Sequence, residues 1–242
     1  MTKLLLRAHS HNDYEHTRPL LDALDQGFCS VEADIYLEGG QLLVGHDKKD
    51  LKPERTLTAL YLEPLWQRVK QNRGQVYPEP APVTLLVDIK TDGARVYAAL
   101  KDVLKPYAPM LTRFDGNKIE RRAITVILSG DRPREVLERE RVRLAALDGR
   151  PEDLGKGTSP ALIPLISQSW FSLFQWNGSG PISHADREKL AIMVDQAHAE
   201  GRTIRFWAAP DNPAGWGVCW SAGVDYLNTD HLPELAQFLQ NR

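Results

Sequence analysis

The 242-residue chain contains only two cysteines, Cys29 and Cys219. Two thiols cannot build a disulfide framework, and neither stands near a Cys/His cluster of the kind that holds zinc, so both read as small buried hydrophobes. No run of roughly 18 uninterrupted apolar residues exists, which excludes a membrane-spanning helix. The opening MTKLLLRAHSH has three leucines before Arg7, short of the roughly 7 to 15 apolar residues of a signal-peptide core. As read, the chain carries no export signal and a cytoplasmic location is expected unless a leader has been removed. Neither sign of charge is in excess: 30 Lys and Arg face 32 Asp and Glu, a formal charge of -2. No global field gathers nucleic acid, and an anionic substrate has to be held by a local cluster or a bound cation.

What is present is an alternation of short apolar runs with helical patterns, the signature of a parallel sheet covered by helices. Eight such runs occur, at residues 3–8, 30–36, 83–90, 123–128, 142–147, 162–167, 203–208 and 224–228. Apolar stripes at helical spacing separate them, at 19–26, 58–72, 93–105, 132–140, 184–200, 213–222 and 232–240. Eight strands with intervening helices predict an α/β fold, a (β/α)8 TIM barrel formed by residues 1–242 as one domain. Gly39-Gly40, between apolar arms that follow strand two, predicts a small β-hairpin insertion whose second arm, QLLVGHD, brings His46 close to the end of that strand.

In such a barrel the active residues sit at the C-terminal ends of the strands. Strand one ends in His9 and His11, strand two carries Glu32 and Asp34, and strand three carries Asp88 and Lys90. Residues two apart on a strand share a face, here the barrel interior, and carboxylates confined there repel unless a cation joins them. Three carboxylates without cysteine favour a hard cation, Mg²⁺ or Ca²⁺. The competing reading pairs Glu32 or Asp88 with Lys90 or an arginine. Lys90 also suits a phosphate oxygen. Both histidines reach the pocket if strand one runs through His11, and only one does if it ends earlier. Histidines on opposite sides of a cation suit general acid and base roles. His16, His184, His198 and His231 lack that company. Trp207 ends strand seven, Trp170 and Trp176 follow strand six, and each either walls the pocket or packs in the core.

Motif by motif, the chain resembles the phosphatidylinositol-specific phospholipase C-like phosphodiesterase superfamily, particularly the glycerophosphodiester phosphodiesterases and, more distantly, sphingomyelinase D. RAHSH with YEHT is similar to the family's opening A-H-R-G and P-E-N-T, SVEADIYL to I-E-x-D-V, LLVGHD to V-V-x-H-D, and LLVDIK to E-I-K. The closing run from IRFWAAPDN to GVDYLNTDHLP is similar to W-T-V-N followed by G-V-D-G-I-I-T-D-x-P. The resemblance implies Glu32, Asp34 and Asp88 as ligands of one divalent cation, His9 and His46 as an acid/base pair, and Lys90 as a phosphate contact. It also implies Glu15, Trp207 and Asn228 as substrate contacts. Ser10 and His11 replace the arginine and glycine of the opening motif, and spacing against sphingomyelinase D favours His11 as the catalytic histidine. The implied activity is hydrolysis of a small phosphodiester, of glycerophosphodiester or lysophospholipid type. Two rivals remain: a zinc-dependent H-x-H hydrolase, which needs further histidines that strands four to six lack, and a non-catalytic metal- or headgroup-binding barrel.

Overall fold

The computed structural model describes residues 3–242; Met1 and Thr2, the opening of the expected domain, lie outside the described residues. The strands are β1 (Leu5–Ser10), β2 (Phe28–Glu38), β3 (Gln41–Val44), β4 (Val83–Ile89), β5 (Arg113–Asp115), β6 (Lys118–Glu120), β7 (Ile124–Gly130), β8 (Val142–Arg143), β9 (Ala145–Gly149), β10 (Leu165–Ser169), β11 (Thr203–Trp207) and β12 (Leu227–Thr229). The helices are α1 (Leu21–Asp25), α2 (Glu63–Gln71), α3 (Gly93–Leu104), α4 (Arg134–Arg139), α5 (Trp170–Leu173), α6 (His184–Ala199), α7 (Pro213–Ser221) and α8 (Leu232–Gln240).

Eight parallel strands run in the order β11, β10, β9, β7, β4, β2, β1, β12, and the bridge between Arg205 and Tyr226 brings the last beside the first. The fold is therefore a TIM barrel. The hairpin is present too, with β3 antiparallel to β2 from Ile35/Val44 to Glu38/Gln41. The chain continues from it so that Gly45 N–H donates to the Asp34 carbonyl, which sets His46 over the end of β2. The predicted strand 142–147 is two elements, because β8 leaves the barrel to pair with β5. Together with β6 it makes a separate three-stranded sheet that the sequence reading did not anticipate.

Two-residue alternation along the strands divides the barrel interior into layers. Leu86, Ile127 and Leu165 pack as their own buried cluster with Tyr226 against it. Two residues nearer the mouth on the same strands stand Asp88, Ser129, Ser167 and Asn228. An apolar plug thus lies beneath a polar ring. Outside, the helices bury their stripes on the main core: α6 covers it with Leu190, Val194 and Ala197, and starts where the Ser183 side chain accepts from the Asp186 N–H at 3.0 Å. Each such fully buried leucine or valine contributes about 1.5–3 kcal/mol.

Candidate functional site

Every barrel strand contributes a polar side chain to the ring: His9 from β1, Glu32 and Asp34 from β2, Asp88 from β4, Ser129 from β7, Asp148 from β9, Ser167 from β10, Arg205 from β11 and Asn228 from β12. Strand register explains the grouping, since Asp34, Asp88 and Ser129 are successive partners across β2, β4 and β7, and Asn228 is the partner of His9. The sequence reading assigned no role to Ser129, Asp148, Ser167 and Arg205.

Glu32, Asp34 and Asp88 each offer an oxygen such that all three lie within 4.8 Å of one another. Lys90 Nζ stands 2.7 Å from Asp34 Oδ2 and 3.4 Å from Asp88 Oδ1. Asp34 Oδ2 also takes the Tyr14 hydroxyl at 2.6 Å and lies 3.3 Å from His46 Nδ1. Its other oxygen, Oδ1, is buried with no hydrogen-bond partner. A buried carboxylate oxygen left without a donor is costly unless a cation completes it, so the three carboxylates fit one hard divalent ion. Burial, then the Glu32 charge, pushes Asp34 up, against Lys90. Burial likewise pushes Asp88 up to about 6, with Lys90 opposing. Burial lowers Lys90, but Asp34 and Asp88 outweigh it and hold the ammonium above its ordinary range.

Glu32 has a different partner. Burial alone would push its carboxyl up, but the Arg205 guanidinium at 3.1 Å holds it well below the usual carboxylate range. The same Arg205 Nη1 lies 2.6 Å from His9 Nε2. A guanidinium can only donate, so His9 Nε2 accepts and the ring proton sits on Nδ1, facing Ser30 Oγ at 2.7 Å. Burial, reinforced by Arg205, pulls His9 down to about 4. The alternative ion-pair reading is therefore present in part: Lys90 serves Asp34 and Asp88, and an arginine serves Glu32.

The strand ends at Ser10, yet His11 N–H still donates to the Thr229 carbonyl, and its ring pairs with Asp230 at 2.9 Å. Burial lowers the His11 pKa, but Asp230 and the nearby Glu32 outweigh it and raise it overall. Exposure separates the three histidines: the side chains of His9, His11 and His46 are 1%, 27% and 56% accessible. Asn12, in the left-handed region at φ 45°, turns the chain so that Tyr14 lies against Asp34. Burial and the Asp34 charge keep that phenol protonated. Glu15 lines a cavity of about 490 Å³ with Tyr14, His46, Lys49, Lys52 and Arg55. Asn228 has both side-chain polar atoms buried and unpartnered. Trp207 ends β11 at 36% exposure, whereas Trp170 and Trp176 belong to the core. Strands β7, β9 and β10 supply Ser129, Asp148 and Ser167, not the histidines a zinc H-x-H site requires.

Tyr14 belongs to the YEHT segment of the opening motif, but only the fold brings its hydroxyl to Asp34. Ser129 and Asp148 were missed because each lies one residue beyond the predicted strand end. Arg205 had a legible signal: a charged residue in the middle of an otherwise apolar strand, two before Trp207.

Residues 4–148 match the family described as AIM6-like phosphodiesterase domain, and residues 203–233 match the glycerophosphoryl diester phosphodiesterase family. Altered inheritance of mitochondria protein 6 from Eremothecium gossypii is 32% identical over 272 residues, covering 97% of this chain and 70% of the relative. The homolog of that protein from Arthroderma benhamiae is 29% identical over 254 residues, covering 93% of this chain and 81% of its own length. Among solved structures, a glycerophosphodiester phosphodiesterase from Parabacteroides distasonis superposes with a TM-score of 0.59 at 16% identity, covering 98% of this chain and 97% of the other. One from Agrobacterium tumefaciens gives 0.56 at 13% identity, covering 98% and 100%. These structural likenesses bear on the fold. With the matched domain covering more than half of the sequence, the chain belongs to the AIM6-like phosphodiesterase family.

Proposed function

We propose that the protein is a metal-dependent phosphodiesterase acting on a small phosphodiester of glycerophosphodiester or lysophospholipid type. The observation that carries this reading is the set of three converging carboxylates with the buried Asp34 Oδ1 left unpartnered. Glu32, Asp34 and Asp88 would hold one Mg²⁺ or Ca²⁺, which when bound supplies Lewis-acid neutralisation of a phosphoryl oxygen. Lys90, already held cationic by Asp34 and Asp88, adds a point charge for another phosphate oxygen.

Proton transfer needs groups that reach the substrate. His46, exposed at the end of the hairpin and steered by Asp34 and Tyr14, serves one side. On the other side the resemblance favours His9, but both nitrogens of that buried ring are engaged. The accessible His11, with its raised pKa, is the better proton donor, and His9 is a positioning residue beneath it. One histidine then deprotonates the attacking hydroxyl while the other protonates the leaving alcohol. Glu15, Trp207 and Asn228 line the approaches as substrate contacts.

The reading is tested by hydrolysis of bis-p-nitrophenyl phosphate and glycerophosphodiesters after EDTA treatment and return of Mg²⁺, Ca²⁺ or Zn²⁺. Turnover restored by Mg²⁺ or Ca²⁺ and reduced roughly 10²- to 10⁴-fold in His46→Ala and His11→Ala is expected. Activity on monoesters or amides with zinc alone contradicts it, and loss in His9→Ala but not His11→Ala moves the proton-donor role to His9.

A further inference from the structure

The turn that follows β1 is pinned from below and reaches the site from above. Its buried Asp13 accepts from Ser10 Oγ at 2.7 Å, from the Leu20 N–H at 2.5 Å and from the Tyr61 hydroxyl at 3.0 Å. Three donors on one buried carboxylate tie the turn to the core. Asn12 and Tyr14 flank this anchor, and their side chains meet. One end of the Asn12 amide lies 2.9 Å from Tyr14 Oη and the other 3.2 Å from His11 Nδ1. Tyr14 Oη lies in turn 3.1 Å from His46 Nδ1. An unbroken chain of contacts therefore runs from His46 through Tyr14 and Asn12 to His11, although the two histidines follow different strands.

Proton counting orients this chain. The phenol has a single proton, and its shortest contact, the Asp34 carboxylate at 2.6 Å, takes it. Tyr14 Oη is then an acceptor, so His46 presents Nδ1–H to it and Asn12 presents its NH₂ end, because the two ends of an asparagine amide are told apart by their partners. The Asn12 carbonyl is left facing His11, whose Nδ1–H it shares with Asp230 Oδ1 at 2.9 Å. Both rings thus keep a proton on Nδ1, and among the described residues no protein group bonds either Nε2. The left-handed backbone at Asn12, φ 45°, would suit glycine equally well. The amide contacts are what asparagine adds.

We infer that Asn12 and Tyr14 are positioning residues that bind the two proton-transfer histidines into one unit and leave each to exchange its proton through Nε2. The inference rests on the phosphodiesterase reading, with His11 as proton donor and His46 opposite it, and adds the bridge that joins them.

Two variants isolate the bridge: Asn12→Gly keeps the turn and removes the amide, and Tyr14→Phe keeps the buried ring and removes the hydroxyl. With saturating Mg²⁺ or Ca²⁺, each is expected to lower kcat on glycerophosphodiesters roughly ten- to hundred-fold with KM nearly kept, since a misaimed proton transfer leaves binding intact. The double variant should be little worse than the worse single one, because residues that act through one chain of contacts are not additive. Asn12→Gly should cost far less on bis-p-nitrophenyl phosphate, whose leaving group departs without a proton from His11. Equal losses on both substrates, or single losses that multiply in the double variant, overturn the bridge. If no diester is hydrolysed, the phosphodiesterase reading fails separately, and NMR of the imidazole nitrogens at alkaline pH decides the bridge. A His46 ring protonated on Nδ1 in wild type and a tautomer mixture in Tyr14→Phe support it, whereas a wild-type proton on Nε2, or no change in Tyr14→Phe, overturns it.

Discussion

The two halves of the barrel mouth use the same materials in opposite proportion. On β2 and β4 three carboxylates share two cations, Lys90 and Arg205, and one buried oxygen of Asp34 is left unpartnered. Across β7, β9 and β10 a single carboxylate, Asp148, gathers two hydroxyls and a guanidinium on one oxygen, while its other oxygen is buried and unpartnered like that of Asp34. The first half is short of positive charge, whereas the second sets its one ring carboxylate against an arginine and two hydroxyls. The same scaffold positions can therefore crowd carboxylates on one side and tie a single carboxylate into hydrogen bonds on the other, and only pairing across the barrel reveals which.

Removing the charge that spans the halves should have the largest effect. Arg205→Met leaves Glu32 buried without a cation, and a loss of about 3–5 kcal/mol is expected in urea denaturation. The Glu32→Gln/Arg205→Met double variant should recover much of it, and a single variant as stable as wild type would mean the pair is not structurally coupled. Next comes Gly130→Ala at the seam. Gly130 sits at φ +67°, and its Cβ would meet the Ile89 carbonyl oxygen at 2.3 Å as well as Asp88. Backbone cannot yield cheaply there, so about 3 kcal/mol should be lost, together with metal affinity.

A smaller effect concerns pH. Asp88 is pushed up to about 6 in the fold, so the folded protein binds this proton more tightly than the unfolded chain. Its stabilising contribution is fully present below about pH 4 and lost as pH rises through about 6. Thermal melts of metal-stripped protein should therefore show a smaller decline over that window in Asp88→Asn than in wild type, and Mg²⁺ or Ca²⁺ should reduce the wild-type decline. Parallel wild-type and variant curves would contradict the shift. Ser167→Ala, which removes one of several donors to Asp148, should cost only about 1 kcal/mol. A much larger loss would mark the Asp148 network as the less redundant of the two.

Sequence carried the barrel because buried parallel strands are dense in Val, Ile and Leu, and all eight runs correspond to barrel strands. It carried Glu32, Asp34, Asp88 and Lys90 as neighbours because two-residue spacing on a strand fixes a shared face. It could not carry the Arg205 contacts to His9 and Glu32, which join residues far apart in the chain through barrel closure. Nor did it carry the short sheet of β5, β6 and β8, whose strands of two or three residues are too brief to show a period. The half around Asp148 stayed hidden for a similar reason, since its residues lie at strand ends and just beyond them, where sequence patterns blur.

The most direct test is calorimetric titration of Mg²⁺ and Ca²⁺ into EDTA-treated wild type and Asp34→Asn. One ion bound per wild-type chain, with binding lost in the variant, is the result predicted by three carboxylates that share a single cation. No binding to wild type, or the same affinity in Asp34→Asn, would mean that Lys90 and Arg205 alone balance those charges and that the metal centre does not exist.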